Sequence, residues 1–156
     1  MEIRSMALGE LRGHEAGQIL LEEMYRQIYN RPMPAVFRTE RGKPVFAGGD
    51  VHFSISHTPR RVFCVLADRP VGVDAEETDR GVNLKLAEKI LSSGEYAQFQ
   101  QAKDKRQALL KFWVLKEAAA KCTGEGLKGY PNQTAFSLED PRVQIVDNCY
   151  VAIIEE

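Results

Sequence analysis

Residues 51–76 constrain the fold more than any other stretch of this chain. Val51, Phe53 and Ile55 alternate with His52, Ser54 and Ser56, a period of two that predicts a half-buried strand ending at His57. The turn Thr58-Pro59-Arg60-Arg61 leads into Val62–Ala67, whose continuous apolar character predicts a strand buried on both faces and therefore central in its sheet. After Asp68-Arg69-Pro70 the extended pattern resumes from Val71 to Glu76. Three extended segments joined by short turns predict a three-stranded antiparallel meander with His57 at one of its ends.

Helical patterns flank this core. Ile19, Leu20, Met24 and Ile28 recur with helical spacing from His14 to Tyr29, and the helix is expected to end before Asn30-Arg31-Pro32, with His14 exposed near its start. Between that helix and the meander, Val36-Phe37-Arg38 and Pro44-Val45-Phe46 are short β-prone pieces around the turn Arg41-Gly42-Lys43-Pro44. Asn83–Leu91 is helical in pattern, and Ser92-Ser93-Gly94-Glu95 resembles a capping box opening a short helix through Phe99. Asp104 is the expected N-cap of a long helix from Lys105 to about Cys122, stopped by Thr123-Gly124-Glu125-Gly126. Thr134–Leu138, Arg142–Val146 and Cys149–Ile154, separated by Glu139-Asp140-Pro141 and Asp147-Asn148, predict a second meander.

A chain of 156 residues fits one domain, or two small halves of about residues 1–70 and 71–156 sharing a core. Hydrophobic residues at 44% and charged residues at 28% allow a sizeable core and argue against global disorder. Twenty-one Lys plus Arg against 22 Asp plus Glu give a net charge of −1, which removes the electrostatic case for generic nucleic-acid or anionic-membrane binding. Cys64, Cys122 and Cys149 are odd in number and form no Cys-x-x-Cys, so neither a disulfide framework nor a thiolate zinc site is expected. No apolar run approaches the ~20 residues of a membrane span and no signal-peptide core follows Met1, so the expected location is the cytoplasm.

The residues that could carry chemistry lie on two elements. Asp74 and Glu76 are two apart on a predicted strand, so they share a face with Cα atoms ~7 Å apart. Like charges on a buried strand need a cation, a raised pKa or exposure at the strand end. Trp113, Glu117 and Lys121 form one stripe of the long helix, with Lys116 flanking it. Taken alone, Glu117 and Lys121 suggest an ordinary surface ion pair. A third carboxylate from a helix beside the strand would instead complete a hard oxygen site, which suits magnesium with its preference for a few carboxylates and substrate phosphates.

Gly72-Val73-Asp74-Ala75-Glu76, followed by Trp113-Val114-Leu115-Lys116-Glu117-Ala118-Ala119-Ala120-Lys121, resembles the two signature motifs of the 4′-phosphopantetheinyl transferases. The Sfp-type branch is the nearer match, with a first motif Gly-x-Asp-x-Glu and a second motif Trp-x-x-Lys-Glu-x-x-x-Lys. Gly42-Lys43-Pro44 and Ser56-His57-Thr58 are similar to two further motifs, in the expected order. Ser54 stands where Asn is often seen, Ala75 is smaller than the usual branched residue, and the N-terminal half is short for that branch.

The resemblance implies transfer of the 4′-phosphopantetheine arm of coenzyme A to a serine of an acyl, peptidyl or aryl carrier protein, releasing adenosine 3′,5′-bisphosphate. It implies that Asp74, Glu76 and Glu117 hold Mg²⁺ against the pyrophosphate. Glu117, or a metal-bound water beside it, would take the serine proton, and Lys121 would meet the charge of the leaving phosphate. Lys43 is expected near the adenine or its ribose, Ser56 and His57 at the phosphates of coenzyme A, and Lys116 either at a phosphate or outward in solvent. Arg60 and Arg61 are weaker phosphate candidates, His52 is expected to be structural, and Trp113 is expected in the core. The implied fold is α+β: two pseudo-symmetric halves, each with a helix packed on a small antiparallel sheet, and a monomer because that interface is satisfied internally. Two other functions share the residues, a magnesium-dependent nucleotide pyrophosphate hydrolase and a catalytically silent module that binds coenzyme A or a carrier protein.

Overall fold

The computed structural model describes residues 1–126 and 135–156. The apolar run predicted as a central strand is one: β5 (Arg61–Ala67) lies between β1 (Glu2–Ala7) and β4 (His52–His57) in an antiparallel sheet of order β1-β5-β4. Alternate residues of β5 serve two cores. Val62, Cys64 and Leu66 pack under α1 (Gly13–Tyr29) with Leu20, Leu21, Met24 and Tyr25, while Phe63, Val65 and Ala67 pack against the second sheet. The helix α1 ends at Asn30, which adopts the left-handed conformation at φ 49°. Ile19 lies off its buried face and His14 is exposed. The pieces β2 (Val36–Arg38) and β3 (Pro44–Phe46) pair as a separate hairpin.

The third strand of the expected meander does not join the first two. The strand β6 (Val71–Glu77) crosses into a second antiparallel sheet of order β6-β8-β7, with β7 (Val143–Val146) and β8 (Cys149–Glu155). The reason is that both hydrogen-bonding edges of β5 are already taken, by β1 and β4. Val71, Val73 and Ala75 meet Phe63, Val65, Cys149 and Val151 in an apolar layer between the sheets. The expected second meander is corrected in the same way: β7 and β8 form a hairpin through the left-handed pair Asp147 and Asn148, and their third partner is β6. Thr134 lies outside the described residues, and residues 135–138 are not a strand.

The long helix α4 (Lys105–Thr123) covers the outer face of the second sheet. It is capped by Asp104, whose carboxylate accepts from the Gln107 N–H at 3.0 Å, and it ends at Gly124 with φ 75°. Val114, Leu115, Ala118 and Ala119 bury against Tyr150 and Ala152. A 3₁₀ turn (Leu84–Leu86), the short α2 (Ala87–Ile90) and α3 (Ser93–Gln101) close this half, and the Ser92/Glu95 capping box is present in both directions. Each half therefore sets a long helix on a three-stranded antiparallel sheet, an α+β arrangement, with the strands of the two sheets falling on either side of residue 70. Among the described residues no helix is long and apolar enough to cross a membrane.

Candidate active site

Two elements distant in sequence are brought together by one missing methyl group. A Cβ at Gly72 would lie 1.9 Å from the Ala118 carbonyl oxygen and 2.5 Å from the Cys122 nitrogen, so only glycine lets α4 rest on β6 at this distance. Asp74 and Glu76 follow on the same side of β6 by alternation, and Glu117 and Lys121 lie on the α4 turns beside Ala118 and Cys122.

Lys121 does not pair with Glu117, four residues earlier on its helix. Its ammonium donates to Asp74 Oδ1 at 2.8 Å and to the Val73 carbonyl at 3.1 Å, joining helix to strand. Asp74 is 6% exposed; its Oδ1 also accepts from the Ser56 hydroxyl at 3.1 Å, and its Oδ2 is buried with no hydrogen-bond partner. Glu76 is ion-paired with Arg80, and Trp113 lies near enough to favour its charged form. Trp113 is half-buried rather than core, and it reaches the site directly.

Burial lifts all three carboxyls above the ordinary carboxylate range. Lys121 opposes this at Asp74, Arg80 and Trp113 oppose it at Glu76, and the neighbouring Asp74 charge reinforces it at Glu117. The Asp74 charge adds to the effect of burial at Glu76 and Glu117, and Asp74 keeps a buried oxygen with no hydrogen-bond partner; these are hard oxygen donors of the kind a divalent cation such as Mg²⁺ prefers. Among the described residues no three His, Cys, Asp or Glu side chains are grouped so as to hold a metal ion; Asp74 is paired with Lys121 and Glu76 with Arg80.

Cavities open on both sides of this group. One of about 280 Å³ is lined by Glu117, Lys121, Lys43, Arg41 and Phe53. Lys43 donates to the Cys122 carbonyl at the end of α4, and burial lowers its pKa. The other, of about 840 Å³, is lined by Glu76, Arg80, His57, Arg60 and Arg12. His57 is exposed at the end of β4, against Gly13, where a Cβ would meet its ring at 2.3 Å. Lys43, Glu117 and Lys121 thus share the smaller cavity, His57 and Glu76 share the larger, and Lys121 is tied to Asp74.

Two expected site residues are placed differently. Lys116 is not outward: it is 1% exposed and ion-paired with Glu95 at 2.7 Å in the interior of the second half. Ser56 is 5% exposed, with its hydroxyl donating to Asp74 and accepting from the Ala75 N–H at 3.1 Å. Of the two weaker arginines, Arg60 lines the larger cavity while pairing with Glu77 and Asp79, whereas Arg61 is held by Ser5 and Asp147 at the far side of the sheets.

Sequence reasoning missed three groups: Glu95 as a buried hub, Arg80 on Glu76, and the buried Glu77, which accepts from the Thr58 hydroxyl at 3.0 Å. The i,i+4 spacing of Glu76 and Arg80 was the available signal for one of them, obscured because Arg80 lies beyond the strand.

Residues 70–149 match the 4′-phosphopantetheinyl transferase superfamily profile. The chain is 31% identical over 134 residues to the 4′-phosphopantetheinyl transferase gsp of Aneurinibacillus migulanus, covering 83% of this chain and 55% of that protein. It is 35% identical over 130 residues to the 4′-phosphopantetheinyl transferase psf-1 of Bacillus pumilus, covering 80% and 55%. It is 38% identical over 92 residues to the 4′-phosphopantetheinyl transferase Sfp of Bacillus subtilis, covering 56% and 40%. The chain spans about half the length of the curated relatives it matches. With the strand and helix motifs joined across β6 and α4, and with these similarities along most of its length, the chain belongs to the 4′-phosphopantetheinyl transferase superfamily, in its Sfp-type branch.

Proposed function

We propose that this chain transfers the 4′-phosphopantetheine arm of coenzyme A to a serine of an acyl or peptidyl carrier protein. The observation that carries this reading is the bond between Lys121 on α4 and Asp74 on β6, with Glu117 and Glu76 beside it and a cavity on either side. Asp74, Glu76 and Glu117 would hold Mg²⁺, which when bound supplies charge neutralisation at a pyrophosphate. Glu117 accepts the proton of the attacking serine hydroxyl, a task that suits a carboxylate whose pKa burial has raised. The serine oxygen bonds to the phosphorus that carries the pantetheine arm, and the bond from that phosphorus to the bridging oxygen breaks. Adenosine 3′,5′-bisphosphate leaves with the bonding electrons, and Lys121 meets the charge that develops on it. Lys43 lines the smaller cavity for the nucleotide, and His57 serves phosphate groups from the larger. Lys116 enters as support for α4 through Glu95.

The same proposal includes the two-fold relation of the halves, the single domain over 1–156, a monomeric state and a cytoplasmic location. Incubation with coenzyme A, Mg²⁺ and a panel of apo carrier proteins tests the activity. A carrier gaining the phosphopantetheine mass is the expected result. Release of nucleotide without any carrier marks a hydrolase, and binding without turnover marks a silent module; either outcome overturns the reading.

A further inference from the structure

We infer that Ser56 is a positioning residue for Asp74, holding that carboxylate so that one of its oxygens is left without a protein partner, for a divalent cation to meet. This rests on the reading of Asp74 as a cation ligand given above. The strands β4 and β6 run side by side where the two sheets meet, yet they belong to different sheets and share no backbone ladder. Serine hydroxyls take the ladder's place. Ser54 Oγ accepts the Val73 N–H at 3.0 Å and Ser56 Oγ accepts the Ala75 N–H at 3.1 Å, so the residues on either side of Asp74 are both pinned.

A hydroxyl carries one hydrogen and two lone pairs, and Ser56 uses both functions at once. While accepting from the Ala75 N–H, it donates its hydrogen to Asp74 Oδ1 at 3.1 Å. Lys121 occupies the same oxygen at 2.8 Å, so Oδ1 is engaged from two directions and Oδ2 is left buried without a protein partner. An unpartnered oxygen at 6% residue exposure is costly unless a positive charge or a proton meets it. Ser56 thereby selects which carboxylate oxygen faces the cation. Ser54 makes the same kind of backbone bond without touching Asp74, so it separates the effect of the strand junction from the effect on the carboxylate.

Mn²⁺ binding to the full chain, followed by the electron paramagnetic resonance of free Mn²⁺ without coenzyme A or carrier, tests the inference. The proteins are the wild type, D74N, S56A, S56T and S54A, with KM for coenzyme A measured alongside at saturating Mg²⁺. Partners that orient a metal ligand control affinity by about 10–100-fold, so S56A is expected to weaken Mn²⁺ binding about tenfold or more while KM for coenzyme A stays at the wild-type value. S56T, which keeps the hydroxyl, is expected to restore binding, and S54A to lower the thermal midpoint with Mn²⁺ affinity unchanged. Should S56A not fold, S56C, which keeps the size with only a weak donor, is expected to lose affinity in the same direction.

S56A binding Mn²⁺ as the wild type does, or raising KM for coenzyme A with Mn²⁺ affinity intact, overturns the positioning role. D74N binding Mn²⁺ like the wild type would instead remove the cation assignment itself, and the inference with it.

Discussion

Glu117 stands where burial, a neighbouring carboxylate and a cavity wall coincide, and its proposed part is a proton transfer that no amide can make. Glu117→Gln is therefore expected to abolish transfer to a carrier while leaving the circular dichroism spectrum and thermal unfolding of a folded protein; normal turnover by this variant would show that the base lies elsewhere. A second residue-scale expectation concerns Cys64, whose thiol burial pushes up to about 12. The folded state then holds this proton more tightly than the unfolded chain, where a cysteine titrates at about 8.5. Below that pH the residue contributes no pH dependence, and from there upward to about 12 it removes stability as pH rises. Cys64→Ala is expected to flatten the alkaline fall in unfolding midpoint, and Cys64 in the native protein is expected to alkylate far more slowly than in urea. These roles were only partly legible in the sequence. Spacing placed Asp74 and Glu76 on one face, but their burial, and the choice of Asp74 over Glu117 by Lys121, depend on a partner element forty-odd residues away.

At the scale of elements, the contact of α4 with β6 decides whether the site exists. Gly72→Ala introduces a methyl group into the helix backbone, and overpacking of this kind costs about 1–3 kcal/mol, occasionally more. Chemical denaturation is expected to show at least that loss, together with weaker transfer because the helix motif is lifted from the strand motif. The Lys116–Glu95 pair is the other fixed point of α4. Glu95 accepts from the Ser92 N–H at 2.8 Å and from the Phe136 N–H at 3.0 Å as well as from Lys116, so it ties α3, α4 and residues 135–138 together. Lys116→Met leaves a buried carboxylate without its cation and is expected to cost about 3–5 kcal/mol, whereas Lys116→Met with Glu95→Gln is expected to recover part of the loss. Equal stability of the single and double variants would contradict this. Helical patterning announced α1 and α4, and the capping signals at Ser92 and Asp104 announced where α3 and α4 start; neither could announce this pair, because a capping-box glutamate and a helix lysine are ordinarily surface residues.

At the scale of the molecule, α1, the first sheet, the second sheet and α4 stack in that order around an apolar layer between the sheets. On the proposed two-fold relation of the halves, size-exclusion chromatography is expected to show a monomer, and a stable dimer would overturn that expectation. Local periodicity and capping were enough to mark most of the strands and helices and to single out β5 as central, while the extended stretch read up to Leu138 is not a strand where it is described. The departure of β6 from β4 and β5 to β8, the bonds of Ser54 and Ser56 between the two sheets at their junction, and the inward turn of Lys116 to Glu95 came from long-range packing. The reason is physical: strand pairing is settled by competition for free backbone edges, and with both edges of β5 occupied, no pattern within residues 51–76 could reveal where the third strand would go.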